Sequence, residues 1–336
     1  MTIQVTKEPI NLREKLNELE TNKGLKGNEI LQAETAQEVR SLIGAGRKNL
    51  IINGDFQVSQ RGDYTTATAA AGYQLDRWSS GLFGGSSGNI QHKTDQALPN
   101  GVVTNSLRLT ITSAISTYYA LWQWIEGYKQ FRGQTTTLSF WYKSNTDQAL
   151  NYYNYVTQQH VNVPNTNGVW TKFSHTYAWG ATGNTKTRLE FYPHGLTMQN
   201  NDYIEIAQVQ LELGSVATDF EHRSYGEELA LCQRYYQKIS SNGLVYTTYS
   251  TTQGYMQVPT PVQMRVLPSI SWNIVDRVAL ASTSNITTNI TYWSSYSNSP
   301  SSFFSFQARS SVALTSGLTY VMYPTAVKYF SFDAEL

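Results

Sequence analysis

The sequence is poor in cysteine, in charge and in long apolar runs, and each shortage excludes a class of protein. A single cysteine, Cys232, among 336 residues excludes a disulfide framework within one chain and cysteine-based zinc sites. The five histidines (His92, His160, His175, His194, His222) show no His-x-x-x-His or comparable metal spacing. Charged residues make up only 15%, and 25 Lys and Arg against 24 Asp and Glu leave a net +1. Without a basic cluster, the electrostatic term that dominates binding to phosphate backbones is missing, so no nucleic-acid partner is expected. The longest apolar stretches, such as Leu50–Ile52, fall far short of the roughly 18 residues of a membrane span, so no insertion is expected. Lys7, Glu8, Pro9, Arg13, Glu14 and Lys15 occupy the place where a secretory signal has its apolar core. The expectation is synthesis in a reducing cytoplasm without export machinery.

What the chain has is aromatic and hydroxyl side chains: 23 Tyr, 8 Trp and 12 Phe among many Ser, Thr, Asn and Gln. These residue types favour strands, and the composition indicates a mainly β protein. Charge is distributed in zones. Residues 1–48 carry 15 charges, whereas 239–332 carry only Arg265, Asp276, Arg277, Arg309 and Lys328. The first zone reads as helical: Leu12, Leu16 and Leu19 form a short apolar seam, and Thr35-Ala36-Gln37-Glu38 is a capping-box pattern ahead of Val39, Leu42, Ile43 and the terminating Gly44. Two turns of seam do not hold a helix alone, so this segment needs other copies or another protein.

From Asn49 the pattern becomes strand-like. Asn49–Val58 reads as a buried strand entering an Asn-Gly-Asp turn, and further strands are expected at Ser106–Thr112, Ala120–Glu126, Thr135–Lys143, Val169–Tyr177, Thr187–Tyr192 and Tyr203–Leu213. Alternation at Leu107, Leu109 and Ile111 implies sheets with one buried and one wet face, and the number of runs suggests a jelly-roll sandwich. Glu227–Lys238 reads as a helix, with acids first and bases last as the helix dipole favours. Strands then return at Gly243–Ser250, Gly254–Val258, Ser269–Ile274, Ile286–Tyr292, Phe303–Ala308 and Val327–Phe332. The expected organisation is therefore a helical attachment and oligomerisation segment (1–48), a jelly roll (49–222), a connecting helix (223–238) and a smaller C-terminal β-sandwich (239–336).

Several ordered stretches together resemble the tail fibre and receptor-binding proteins of tailed bacteriophages that carry a carbohydrate-binding-module-like jelly roll. They are the run from Asn49 to Gly62, Asp76-Arg77-Trp78, Gln123–Gly127, Thr137–Trp141, Val209–Gly214, Ala217–Tyr225 leading into Glu227–Tyr236, Pro261–Arg265 and the final Phe332–Leu336. The resemblance spans about residues 30–336. It implies a virion tail protein that docks other tail proteins through residues 1–48, forms a homo-oligomer of trimer type, and binds a host surface glycan. It also implies a structural calcium beside the last jelly-roll strand with Asp55 and Glu212 as ligands, although Gln57 stands where related modules place a glutamate.

Catalysis would need two carboxylates about 5–10 Å apart across a sugar. The carboxylates of 49–222 are scattered, and no catalytic residue is expected. Gly84-Gly85-Ser86-Ser87-Gly88 matches a nucleophile elbow only formally, because Asn89–Lys93 reads as strand where that motif needs a helix. Arg61-Gly62-Asp63 reads as the turn after the first strand. Sugars offer flat C–H faces and hydroxyl edges, so exposed aromatics beside amides and carboxylates bind them without net charge. The glycan-binding candidates are Tyr118, Tyr119, Trp122 and Trp124; Tyr152, Tyr153 and Tyr155 with His160; Trp179 and Tyr192; and, in the uncharged last zone, Trp293 and Tyr296. Trp78 and Trp141 are assigned to packing. The expected role is a non-catalytic adhesin, against a glycan-cleaving fibre or a purely structural fibre, decoration or adaptor protein.

Overall fold

A computed structural model describes residues 48–335 except 63, 66–67, 70–71, 83–86, 114–118, 147–149, 155, 181–186, 193–198, 273–276, 282–284, 296–302 and 325–328. The helices expected within 1–47 lie outside the described residues. Strands run as β1 (Thr68–Ala69), β2 (Gly72–Leu75), β3 (Trp78–Leu82), β4 (Ser87–Ala97), β5 (Val103–Ser113), β6 (Tyr119–Trp124), β7 (Thr135–Ser144), β8 (Leu150–Asn154), β9 (Gln159–Val163), β10 (Thr171–Ala178), β11 (Arg188–Tyr192) and β12 (Tyr203–Leu213). They pair into two six-stranded sheets, ordered β1-β4-β5-β12-β7-β10 and β2-β3-β6-β11-β8-β9. Every strand pair in both sheets is antiparallel. Period-two alternation builds the sandwich: Leu107, Leu109, Ile111, Leu138, Phe140, Leu189, Phe191 and Leu211 turn inward into one apolar core.

The Asn49–Val58 segment is not a strand, contrary to expectation. Asn53 and Phe56 have left-handed φ of 58° and 59°, which ends any ladder there. Side chains hold the turn instead. Asn53 Oδ1 accepts from Val58 N at 2.9 Å while its Nδ2 donates to the carbonyls of Val58 and Asp76. Gly54 lies so close to β12 that a Cβ would sit 2.2 Å from the Val209 carbonyl oxygen. The turn thereby seats Phe56 in the core, 5.1 Å from the Trp78 ring.

The connecting helix is also shorter than expected. Helix α1 covers Tyr225–Gln233, opened by a Ser224/Glu227 capping box. Tyr236 then enters β13 (Tyr236–Ser240), whose ladder with β21 (Tyr329–Asp333) overrides the helical propensity of Arg234–Lys238. Glu228 on α1 accepts from Asn53 N and Arg223 Nη1, tying the helix to the Asn53 turn. Beyond it run β14 (Val245–Thr248), β15 (Gln253–Pro259), β16 (Ser269–Trp272), β17 (Arg277–Ala281), β18 (Asn285–Ser295), β19 (Phe303–Ser310) and β20 (Thr319–Pro324). Six of these close on themselves as β14-β15-β19-β18-β17-β20, and a three-stranded sheet β13-β21-β16 accompanies them. A second core forms here from Tyr246, Met256, Val258, Phe304, Phe306, Phe330 and Phe332.

The two β units are joined by charge. Arg77 is 1% exposed; it pairs with Glu335 through Nη1, donates to the Trp124 carbonyl at 2.6 Å and lies 3.6 Å from the centroid of the Tyr235 ring. Arg61 pairs with Asp333 at 2.8 Å and Glu335 at 3.2 Å and stacks on Tyr236 at 3.9 Å. Arg61 is thus a joint between units as well as a turn residue. Beside them Asp76 accepts from both nitrogens of Gln60 at 2.6 Å, and burial pushes its carboxyl up to about 6.

Candidate functional site

The outer face of the β2-β3-β6-β11-β8-β9 sheet gathers the polar aromatic groups. Residues directly opposite on neighbouring strands share a face, and the register places Ser79, Trp122, Glu190, Tyr153 and His160 in one row across five strands. The next row pairs Arg188 with Trp124. Leu121, Leu189, Phe191 and Tyr152 alternate to the other side and belong to the core. The outer set is therefore built by the same period that builds the core.

Arg188 organises one end of this face. Its guanidinium lies 5.2 Å from the Trp122 ring centroid and 5.1 Å from that of Trp124, and it pairs with Glu190 at 2.7 Å. Glu190 sits at the bottom, 1% exposed, between Trp122 and Tyr153. The other end is a ring cluster: Tyr153 and His160 are 5.0 Å apart, and the Tyr192 hydroxyl is hydrogen-bonded to His160 Nδ1 at 2.9 Å. Burial, reinforced by Glu190, pushes the Tyr192 phenol up to about 12, so it stays protonated at neutral pH. Trp122 and Tyr153 stand two strands apart, roughly 10 Å, on either side of the covered Glu190.

Of the sequence candidates, Trp122, Trp124, Tyr153 and Tyr192 come together here, with Tyr192 largely covered. Tyr152 is a correction: at 0% exposure it is a core residue against Phe191, because it alternates with Tyr153. Trp179 is another. It is buried beside Phe131, with Nε1 donating to Thr136 Oγ1 at 2.8 Å. Tyr118, Tyr155 and Tyr296 lie outside the described residues, and so do the side chains of Tyr119 and Trp293. Trp78 packs in the core as expected, donating to the Asn53 carbonyl. Trp141 does not: it is half-buried on the outer face of the other sheet, where Phe140 and Tyr142 take the core positions. Arg188 was missed by sequence reasoning. The alternation of Arg188, Glu190 and Tyr192 against Leu189 and Phe191 was the available signal.

The calcium arrangement suggested by resemblance does not fit these residues. Glu212 accepts from Gln210 Nε2, Thr218 N and Thr218 Oγ1, and Gln57 Nε2 donates to the Arg223 carbonyl. Asp55 is half-buried, and its carboxyl is pushed up first by burial and then by Glu228. Among the described residues no three His, Cys, Asp or Glu side chains cluster as a metal site. Nor, among them, is any helix long and apolar enough to cross a membrane.

The architecture defines an antiparallel β-sandwich with an aromatic outer face, followed by a closed β unit. No protein-family model matches the chain, and no curated protein matches it. Among solved structures it is similar to a CBM4 structure, at 19% identity over 48% of this chain and 98% of that one, TM-score 0.31. It is similar to the CBM22-1 xylan-binding domain from Paenibacillus barcinonensis, at 11% identity over 46% of this chain and 99% of that one, TM-score 0.29. It is also similar to the enzymatically active domain of tailspike protein 4 from bacteriophage CBA120, at 16% identity over 49% of this chain and 21% of that one, TM-score 0.30.

Proposed function

We propose that the chain is a non-catalytic glycan-binding protein of a tailed-phage virion, using the outer face around Trp122, Glu190 and Tyr153 to hold a host surface saccharide. The observation that carries this is the row Trp122–Glu190–Tyr153–His160, in which two aromatic faces flank a carboxylate already oriented by Arg188. The rings take the C–H faces of a sugar, and the exposed His160 takes its hydroxyls, while Glu190 holds Arg188 against the Trp122 and Trp124 rings. Binding without cleavage is supported by charge placement: the six strands of that sheet contain one carboxylate, Glu190, whereas glycoside hydrolysis uses two. The virion role rests on the ordered sequence resemblance, with synthesis in the host cytoplasm, residues 1–48 docking other tail proteins and a trimer multiplying weak single sites.

The test is glycan-array binding by the full chain, with Trp122→Ala and Tyr153→Ala. The expected outcome is saturable binding that each substitution weakens by about 2- to 10-fold, from roughly 0.5–1.5 kcal/mol per lost stacking contact. Release of reducing sugar dependent on Glu190 would establish the glycan-cleaving reading. Absence of binding to any glycan would favour the purely structural one.

A further inference from the structure

The opposite sheet carries a cleft of about 400 Å³, walled by Trp141 and Lys172 on one side and by Asp219, Phe220 and His222 on the other, with Gln208 at its base. It lies on the β1-β4-β5-β12-β7-β10 sheet, so it is separate from the face around Trp122. Three observations distinguish it from an ordinary surface dent. Trp141 turns out of the core and pairs directly across the ladder with Lys172. Phe220 and His222 meet edge to face at 5.0 Å and stiffen the facing wall. Gln208 occupies a bulge in β12 between Ala207 and Gln210, with a left-handed φ of 48°, a conformation unfavourable for glutamine. Its side chain is 4% exposed, and Nε2 is buried with no acceptor. A strained backbone that delivers an unpartnered amide donor to the base of a cleft is a feature expected of a ligand site.

We propose that this cleft is a second saccharide site, which takes one uncharged pyranose unit. The indole of Trp141 supplies the flat face for the ring, and a small turn of the Gln208 side chain supplies the donor for a ring or hydroxyl oxygen. The volume is within the range of small-ligand pockets. Lys172 and Asp219 line the same cleft with opposite charge, so neither an anionic nor a cationic ligand gains from its field, while both groups hydrogen-bond hydroxyls. The site stands on its own geometry, independent of the first face.

Fluorine NMR of the full chain labelled with fluorotryptophan tests this, because Trp141 reports on the cleft and Trp122 on the first face. The probes are the methyl glycosides of glucose, galactose, mannose and N-acetylglucosamine, titrated to millimolar concentration. At least one is expected to shift the Trp141 signal saturably, both in the native chain and in Trp122→Ala. Gln208→Gly removes the donor while relaxing the positive φ, so it should weaken that binding about tenfold and leave the melting temperature unchanged. Lys172→Ala, at an exposed position, should weaken it without touching the core. Silence of Trp141 toward all four probes, or a shift that vanishes in Trp122→Ala, would overturn the second site. Tighter binding of methyl glucuronide than of methyl glucoside would overturn the uncharged ligand. A silent Trp122 beside a responding Trp141 would count against the first face alone.

Discussion

Glu335→Ala probes the joint between the two β units. It removes the carboxylate that Arg77 Nη1 engages, leaving a guanidinium 1% exposed inside the junction. Deleting one member of a buried pair costs about 3–5 kcal/mol, because the remaining charge keeps its desolvation penalty. Two contacts soften the loss here: Arg77 Nη2 still donates to the Trp124 carbonyl at 2.6 Å, and the guanidinium still lies over the Tyr235 ring. Arg61 retains Asp333 at 2.8 Å. The lower end, about 3 kcal/mol, is therefore expected. Urea unfolding followed by tryptophan fluorescence gives the number, and Arg77→Met completes a double-mutant cycle. The double variant should cost at least about 2 kcal/mol less than the two single losses added together. A Glu335→Ala cost below about 1 kcal/mol, or an additive cycle, would refute the buried joint.

Neighbouring tyrosines should separate packing from binding: Tyr152→Ala is expected to lower stability by about 3–5 kcal/mol, read by urea denaturation, whereas Tyr153→Ala should leave stability near native and weaken the glycan-array signal. Gly54→Ala forces a Cβ against the Val209 carbonyl oxygen, so a melting temperature within a degree or so of native would contradict the close approach. Asp76 gives a pH signature. Its carboxyl is pushed from the ordinary 3.8 to about 6 mainly by burial, so its contribution to stability is fully present below pH 3.8 and is lost as pH rises through about 6. That displacement corresponds to about 3 kcal/mol. Asp76→Asn should therefore gain relative to the native chain between pH 4 and pH 7 in urea titrations, and a constant difference between the two would contradict the shift.

The jelly-roll strands were legible wherever one face alternates. Leu107, Leu109 and Ile111, or Ile204 and Ile206, announce both the strand and the side that is buried. Asn49–Val58 misled because Leu50-Ile51-Ile52 has a strand's composition, while the deciding feature is two left-handed residues held by Asn53 side-chain bonds. Arg234–Lys238 misled in the opposite sense. Local helical propensity lost to pairing with residues nearly a hundred positions downstream, a term that no local window contains. The candidate site was legible by residue type but not by face: Tyr152 and Tyr153 are equal in sequence, and only the register decides which one meets solvent. The Trp141 cleft was hidden because an aromatic beside Phe140 reads as core until the strand's parity is known.

The Arg77–Glu335 pair spans 258 positions of chain. At roughly 5–20 residues per second of synthesis, about 10–50 s pass between the emergence of the cation and that of its partner. For the last part of that interval, the 122 residues after Leu213 and so about 6–24 s, the jelly roll has all its strands but carries an unneutralised guanidinium at its base. Its assembly on the ribosome is therefore provisional, and the joint acts as a late checkpoint: the jelly roll reaches its final stability only when the last strand of the second unit has docked.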